Sequence, residues 1–126
     1  IVKDGIAVNY YGSNRFGQYL GEAPTGNLPC IHLALGTLPE AEMKTGSYLE
    51  VVSMSGLQVD FFSDYIGGEI RLAYYCDGKT CTPVTGISIS GSLSKALQTI
   101  RFSTEEAIHN AYVGPGKALL DNLKIF

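Results

Sequence analysis

The stretch from Asp60 to Leu97, DFFSDYIGGEIRLAYYCDGKTCTPVTGISISGSLSKAL, constrains the fold of this chain more than any other. A strand over Ile66 to Cys76 runs into the Asp77-Gly78 pair, and Asp-Gly between strand-forming runs is a strong hairpin signal. In that strand Ile70, Leu72 and Tyr74 share one face, and Arg71, Ala73 and Tyr75 share the other. Lys79 to Ser90 continues the meander, with Gly86 as a candidate bulge. Ser92 or Ser94 then caps a helix in which Leu93, Ala96, Leu97 and Ile100 follow helical spacing. Strands followed directly by a helix predict an antiparallel sheet with a helix attached.

The rest of the chain fits the same pattern. Ile1-Val2-Lys3 meets Asp4-Gly5, a second hairpin signal, and Ile6 to Tyr11 reads as the outgoing strand. So short an incoming strand predicts a chain cut in the middle of a hairpin, with the partner strand upstream; the alternative is a short terminal strand in a complete protein. Ser13 caps a helix over Asn14 to Leu20 that Gly21 ends. Ala23 to Asn27 is turn chemistry, and Leu28 to Leu35 reads as a strand. Thr37 and Glu40 have capping-box spacing, with Pro39 in the first turn, for a short helix ending before Gly46. Ser47 to Ser55 and Gln58 to Phe62 read as two strands, with Ser63-Asp64 as a turn. Ser103 and Glu106 form a second capping-box match, which predicts one more helical turn at Ala107. Val113 to Gly116 reads as a turn, and Ala118 to Phe126 as a last strand, broken near Asp121-Asn122. The expected fold is one α+β domain over residues 1–126, β-dominated, a largely antiparallel sheet or open barrel with two or three short helices.

Composition excludes several functions. A formal net charge of −3 with no basic stripe lacks the electrostatic footprint of a nucleic-acid binder. No apolar run approaches the ~20 residues that span a bilayer as a helix, and no signal-peptide pattern is present. Three cysteines, an odd count, suit a reducing compartment, hence a cytoplasmic location. With a two-residue Asp77-Gly78 turn, Cys76 faces Lys79 and Tyr74 faces Cys81. The two thiols are then diagonal on one face, with Cα atoms roughly 7–8 Å apart, beyond the usual disulfide span. A wider loop would place them opposite each other.

Chemistry-bearing residues are present but scattered. Cys30 and His32 share a strand face, yet a zinc site needs three or four ligands and no second cluster has ligand spacing. His32 therefore reads as a packed core histidine. Cys76, Asp77 and Cys81 read as an ordinary hairpin. Asp60, Asp64 and Glu69 sit near Gly67-Gly68 and read as turn and edge residues. Glu105 and Glu106 read as helix first-turn acids. Ser53, Ser55, Ser88, Ser90, Ser92 and Ser94 alternate along strands without a nucleophile elbow. Gly114-Pro115-Gly116-Lys117 lacks the spacing of a phosphate loop. Tyr10-Tyr11, Phe61-Phe62 and Tyr74-Tyr75 predict, for each pair, one ring facing the core and one facing outward. The outward rings mark either a covered surface or ordinary cross-strand packing.

Taken in order, these segments resemble the C-terminal domain of the TldD/PmbA family, metallopeptidase-related proteins also labelled modulators of DNA gyrase. Ile1 to Gly5 resembles the hairpin that follows the family's catalytic region. Asn14 to Leu20, with Pro24-Thr25-Gly26-Asn27, resembles its next helix and Thr-Gly-Asn turn. Leu38 to Met43, Gly46 to Ser55, Asp60 to Gly78, Pro83 to Leu97 and Gly114 to Ile125 follow in the family's order. Departures exist: the family's Thr-Gly-Asp-Tyr reads Ser63-Asp64-Tyr65-Ile66 here, Ser92 stands where Asn is usual, and the Val-Gly-Asn-Asp stretch is absent.

The resemblance implies that catalysis belongs to a zinc-binding H-E-x-x-x-H helix upstream, a motif this chain lacks. It further implies a cysteine ligand, in active members, from the loop before the last strand. The corresponding residues, 103 to 116, hold His109 but no Cys. No catalytic, cofactor-binding or metal residue is therefore carried over, and the chain is expected to be inactive alone. Zinc, by the same resemblance, is expected only in the full-length parent and not in this chain. The resemblance implies sheet completion, contact with an identical or related family subunit, and a wall for a chamber that takes peptide substrate. A stand-alone β-rich interaction module is the alternative.

Overall fold

In the computed structural model, residues 2–26 and 30–126 are described. β1 (Val2–Lys3) and β2 (Ile6–Ala7) form the first hairpin in the expected register, Lys3 opposite Ile6. Asp4 and Gly5 both have positive φ, 51° and 76°, the backbone that a tight two-residue turn demands. The outgoing strand ends at Ala7, well short of Tyr11. α1 (Asn14–Leu20) starts after Ser13 and ends at left-handed Gly21, φ 69°, as the sequence predicts, although the Ser13 hydroxyl caps nothing. β3 is shorter than expected, Ile31–His32. The remainder of the Ala23–Asn27 turn and the start of that predicted strand, residues 27–29, lie outside the described residues.

α2 (Glu40–Met43) forms, but not through its own capping box. Pro39 occupies the cap position and Thr37 contributes no side-chain bond. Both carboxylate oxygens of Glu105 accept from the Glu40 N–H instead, at 3.3 and 3.1 Å. Glu105 is thus an N-terminal anion for a helix far from it in sequence.

β4 (Tyr48–Asp60) and β5 (Tyr65–Cys76) make the dominant feature, a long antiparallel hairpin. The two strands predicted from Ser47 to Phe62 are one. Register shifts between Val51 and Ser53, Ser53 and Met54, and Ser55 and Gln58 absorb the irregular alternation. Gly56, at φ 66°, sits in the last of these bulges. β6 (Cys81–Val84) and β7 (Ile87–Ser92) pair with the two halves of β5 on the side away from β4. Between them Gly86 takes φ 67°.

α3 (Leu93–Thr99) begins where expected. The Ser92 hydroxyl accepts from Lys95 N–H at 3.3 Å. Asp64 reinforces this end: its carboxylate accepts from Ser92 Oγ at 2.6 Å, Ser94 N–H at 2.6 Å and Ser94 Oγ at 3.0 Å. The buried side of α3, Leu93 and Ala96, packs on Ile66, with Leu120 and Leu123 partly covering the cluster. Ile70, Ala73 and Cys76 of β5 and Met43 of α2 are also buried.

Beyond α3 the sequence expectation fails. The second capping box nucleates no helix. Residues 101–115 form β8 (Arg101–Phe102), β9 (Glu106–His109) and β10 (Tyr112–Pro115), and the predicted turn at Val113–Gly116 is mostly strand. The cause is tertiary. Ser103 is fully buried. Its hydroxyl donates to the Glu105 carbonyl at 3.0 Å and accepts from Lys117 N–H at 3.1 Å, instead of capping a turn. β10 pairs antiparallel with β9 and parallel with β3. β11 (Ala118–Leu119) pairs with β8, and β12 (Lys124–Ile125) with β7, with Asn122 at φ 64° between them. The five-stranded sheet runs β12-β7-β5-β4 with β6 beside β5. The whole is a β-dominated α+β fold with mostly antiparallel open sheets.

Ser103→Ala takes one hydrogen-bond partner from each of two part-buried backbone groups, the Glu105 carbonyl and the Lys117 N–H. The expected loss is about 1–3 kcal/mol of stability, measured by urea unfolding; a change below 0.5 kcal/mol would contradict the knot described.

Candidate functional site

β4, α2 and the segment from Gly116 to Ile125 enclose a groove of about 760 Å³. Its apolar wall includes Met43, Val52, Leu57, Ile66, Leu123 and Ile125. A charged knot stands at its border. Glu50 Oε1 accepts from Lys117 Nζ at 2.7 Å and from Lys44 Nζ at 3.0 Å. Lys117 is placed by the Ser103 knot, Lys44 by the end of α2, and Glu50 by its register opposite Tyr74.

The hydrogen bond from Lys117, then that from Lys44, holds the Glu50 carboxyl below its ordinary range. The Glu50 bond in turn raises Lys44. The two ammonium groups favour the charged form of Glu50, and the trio ties β4 to the end of α2 and to the segment that follows Gly116. Nothing in the sequence reading singled it out. The one available signal was Glu50 itself, an acid inside the apolar run Tyr48-Leu49-Glu50-Val51-Val52.

The sequence-derived candidates do not converge on this groove. His32 is exposed in β3, not a packed core residue, because β3 is a short edge strand beside β10. His109 ends β9 on the far side of β10. Tyr112 lies opposite His109 and Ile31, and Val113 lies opposite His32. The two histidines therefore occupy neighbouring rows and point to opposite faces, so they cannot share a ligand. Cys30 is a free, exposed thiol just before β3. Among the described residues no three His, Cys, Asp or Glu side chains cluster as a metal site. The donors present do not fit zinc.

Asp60, Asp64 and Glu69 have separate places. Asp60 holds the hairpin tip, accepting from Ser63 Oγ at 2.6 Å and from the N–H groups of Phe62 and Ser63 at 2.8 and 3.3 Å. Asp64 holds α3, and Glu69 lies opposite Ser55 and Ser88 within the sheet. Gly114 and Pro115 belong to β10, and Lys117 binds Glu50.

Cys76 and Cys81 are a disulfide, against the sequence expectation. The loop spans Asp77 to Thr80, so Cys76 pairs directly with Cys81, with Cα atoms 4.1 Å apart. Asp77 causes the widening. Its Oδ1 accepts from the N–H groups of Lys79 and Thr80, both at 2.8 Å, and its own N–H donates to the Thr80 carbonyl at 3.1 Å.

The aromatic pairs also depart from expectation, since neither ring of any pair is buried. Tyr74 and Tyr75 are 40 and 46 % exposed, Tyr10 and Tyr11 70 and 57 %, and Phe61 and Phe62 79 and 103 %. Tyr74 and Tyr75 lie on opposite faces of β5, between β4 and β6, and each keeps part of its ring in solvent although their neighbours Ala73 and Cys76 are buried. The other two pairs lie outside any strand.

These carboxylates make a pH prediction. Hydrogen bonds lower Glu50 from 4.5 and Asp60, Asp64 and Asp77 from 3.8. Lowered acids stabilise the fold above their unfolded values, and that contribution is lost as pH falls through the folded ones. Melting temperature should hold steady from pH 7 to about 5 and fall progressively below that. An unchanged melting temperature at pH 3 would contradict it.

The fold class is that of a β-dominated α+β domain, with a groove bordered by the Glu50, Lys44 and Lys117 trio. Its family follows from comparison: the model of the PmbA/TldA metallopeptidase C-terminal domain matches residues 1–126, and the chain belongs to that family. Neither the curated proteins nor the solved structures yielded a match. No helix among the described residues is long and apolar enough to cross a membrane.

Proposed function

We propose that this chain is the non-catalytic C-terminal domain of a longer metallopeptidase-family protein, acting in proteolysis by walling the peptide chamber and building subunit contacts. The observation that carries the reading is the family match over the whole chain. The groove supports it, because an apolar wall with an anchored charged border suits an extended peptide or a packed neighbour better than bond cleavage. Zinc, in this reading, is held elsewhere in the full-length protein. The partner is an identical or related family subunit; nucleic acid and membrane are not proposed as partners. A stand-alone interaction module draws support only from the exposed aromatic rings.

The compartment proposed is cytoplasmic, on the odd cysteine count, although the Cys76–Cys81 bond is of a type that persists better in oxidising surroundings. Alkylating thiols in intact cells tests this: a reduced compartment labels all three cysteines, an oxidised bond only Cys30.

The 126-residue chain should release no product from mixed peptides with zinc added, and should bind zinc no tighter than about micromolar. Chelator-sensitive cleavage, or nanomolar zinc uptake, would overturn the reading.

A further inference from the structure

The Cys76–Cys81 bond joins two unlike sulfurs. Cys76 ends β5 and is 2 % exposed. Cys81 opens β6 and is exposed. A disulfide opens when a thiolate attacks one of its sulfurs, so access decides which one is attacked. Only the Cys81 side offers that access. Its Sγ also lies 4.0 Å from the Tyr48 hydroxyl. A disulfide sulfur carries no proton, so the hydroxyl is the donor, and it favours negative charge on this sulfur. The loop between the two cysteines is held by other atoms. The Asp77 carboxylate accepts from the N–H groups of Lys79 and Thr80, and the Asp77 N–H donates to the Thr80 carbonyl. None of these bonds involves sulfur. A loop this short also gains little from being cross-linked.

We propose that Cys76 and Cys81 form a reversible redox site that exchanges with glutathione: Cys81 is the sulfur that reacts, and Cys76 is the one that resolves. In the reducing direction a glutathione thiolate attacks Cys81 Sγ. A bond forms between those two sulfurs, the Cys76–Cys81 bond breaks, and its electron pair leaves on Cys76, which takes up a proton. A second glutathione thiolate then attacks the glutathione sulfur of the mixed disulfide. Glutathione disulfide departs, and the Cys81 thiolate is freed. Two glutathiones have supplied the two electrons. In the oxidising direction the Cys81 thiolate attacks glutathione disulfide and releases one glutathione. Cys76 then attacks Cys81 Sγ and releases the second. Resolution is fast because the hairpin register keeps the two cysteines directly opposite, with Cα atoms 4.1 Å apart. The Asp77 bonds keep that register in both redox states, which is what makes the couple reversible.

The test uses the protein at its full native length and reads each sulfur by peptide mass. Trypsin cuts after Arg71, Lys79 and Lys95, so Cys76 and Cys81 fall on separate peptides, 72–79 and 80–95. In the reduced wild type, a brief iodoacetamide pulse is expected to label peptide 80–95 about tenfold faster or more than peptide 72–79. In millimolar glutathione whose reduced-to-oxidised ratio is swept over about a thousandfold range, the linked peptide pair should separate, and it should re-form when the ratio is returned. Cys76→Ser treated with glutathione disulfide should keep one glutathione on peptide 80–95, whereas Cys81→Ser should gain none on peptide 72–79. The two wild-type readings need no variant to fold. Equal labelling, or faster labelling of peptide 72–79, would overturn the assignment of roles. A bond that stays closed across the whole sweep, or that fails to re-form, would overturn the reversible site itself.

Discussion

Gly36→Ala is expected to unfold the domain or cost about 4 kcal/mol or more. Gly36 donates its N–H to the Ser103 carbonyl at 2.9 Å, and it lies against Phe102. A methyl group there would fall on the Phe102 carbonyl and within 2.7 Å of the Phe102 Cβ. The obstacle is backbone, already committed on both sides: the Phe102 carbonyl accepts from Leu38 N–H, and Phe102 pairs with Ala118. Nothing flexible can give way. Gly12→Ala is the control, since its methyl would meet only the Phe16 Cβ at an ordinary 3.8 Å. That variant should change stability by less than about 1 kcal/mol. Urea unfolding followed by circular dichroism separates the two, and equal effects would show that the Gly36–Phe102 approach is looser than described.

Breaking the Cys76–Cys81 bond is the second large effect. Cys76→Ala should cost about 2–4 kcal/mol, and melting should fall by roughly 8–15 °C for a domain of this size. The bond closes a loop of only a few residues, which puts its entropic share near the lower end of that range. Cys76 is also 2 % exposed, so its removal leaves a small void. Reductant should lower the wild-type melting temperature and leave that of the variant unchanged. A wild type indifferent to reductant, with the bond shown to be open, would remove the disulfide from the account of stability.

What the sequence made legible follows the range of the forces involved. The hairpin at Asp4-Gly5, the boundaries of α1, the β5 strand and the Ser92 cap of α3 all depend on residues within a few positions of one another. Each was readable for that reason. Thr37-Glu40 and Ser103-Glu106 carry equally good local capping signals, yet neither box forms. Glu105 supplies the α2 cap, and Ser103 is claimed by Lys117, so distant partners outbid local ones. The Cys76–Cys81 pairing turned on whether the loop held two or four residues, which the Asp77 carboxylate decides through the N–H groups of Lys79 and Thr80. Family membership was legible because it rests on the order of segments, which survives such local errors. The groove was not legible, since it joins residues from Met43 to Ile125 that no short pattern connects. The three charged members of its border are likewise far apart in sequence.

The pairing of residues 31–50 with residues 101–117 has a consequence for synthesis on the ribosome. β3 lacks its partner strand, α2 its capping carboxylate and Glu50 one of its lysines until the last third of the chain has emerged. During that interval the β4–β5 hairpin can zip locally, while the segment before it stays unsettled and open to chaperones. Premature termination anywhere before Lys117 should therefore yield not a smaller stable domain but a hairpin with a loose leader, marked for degradation.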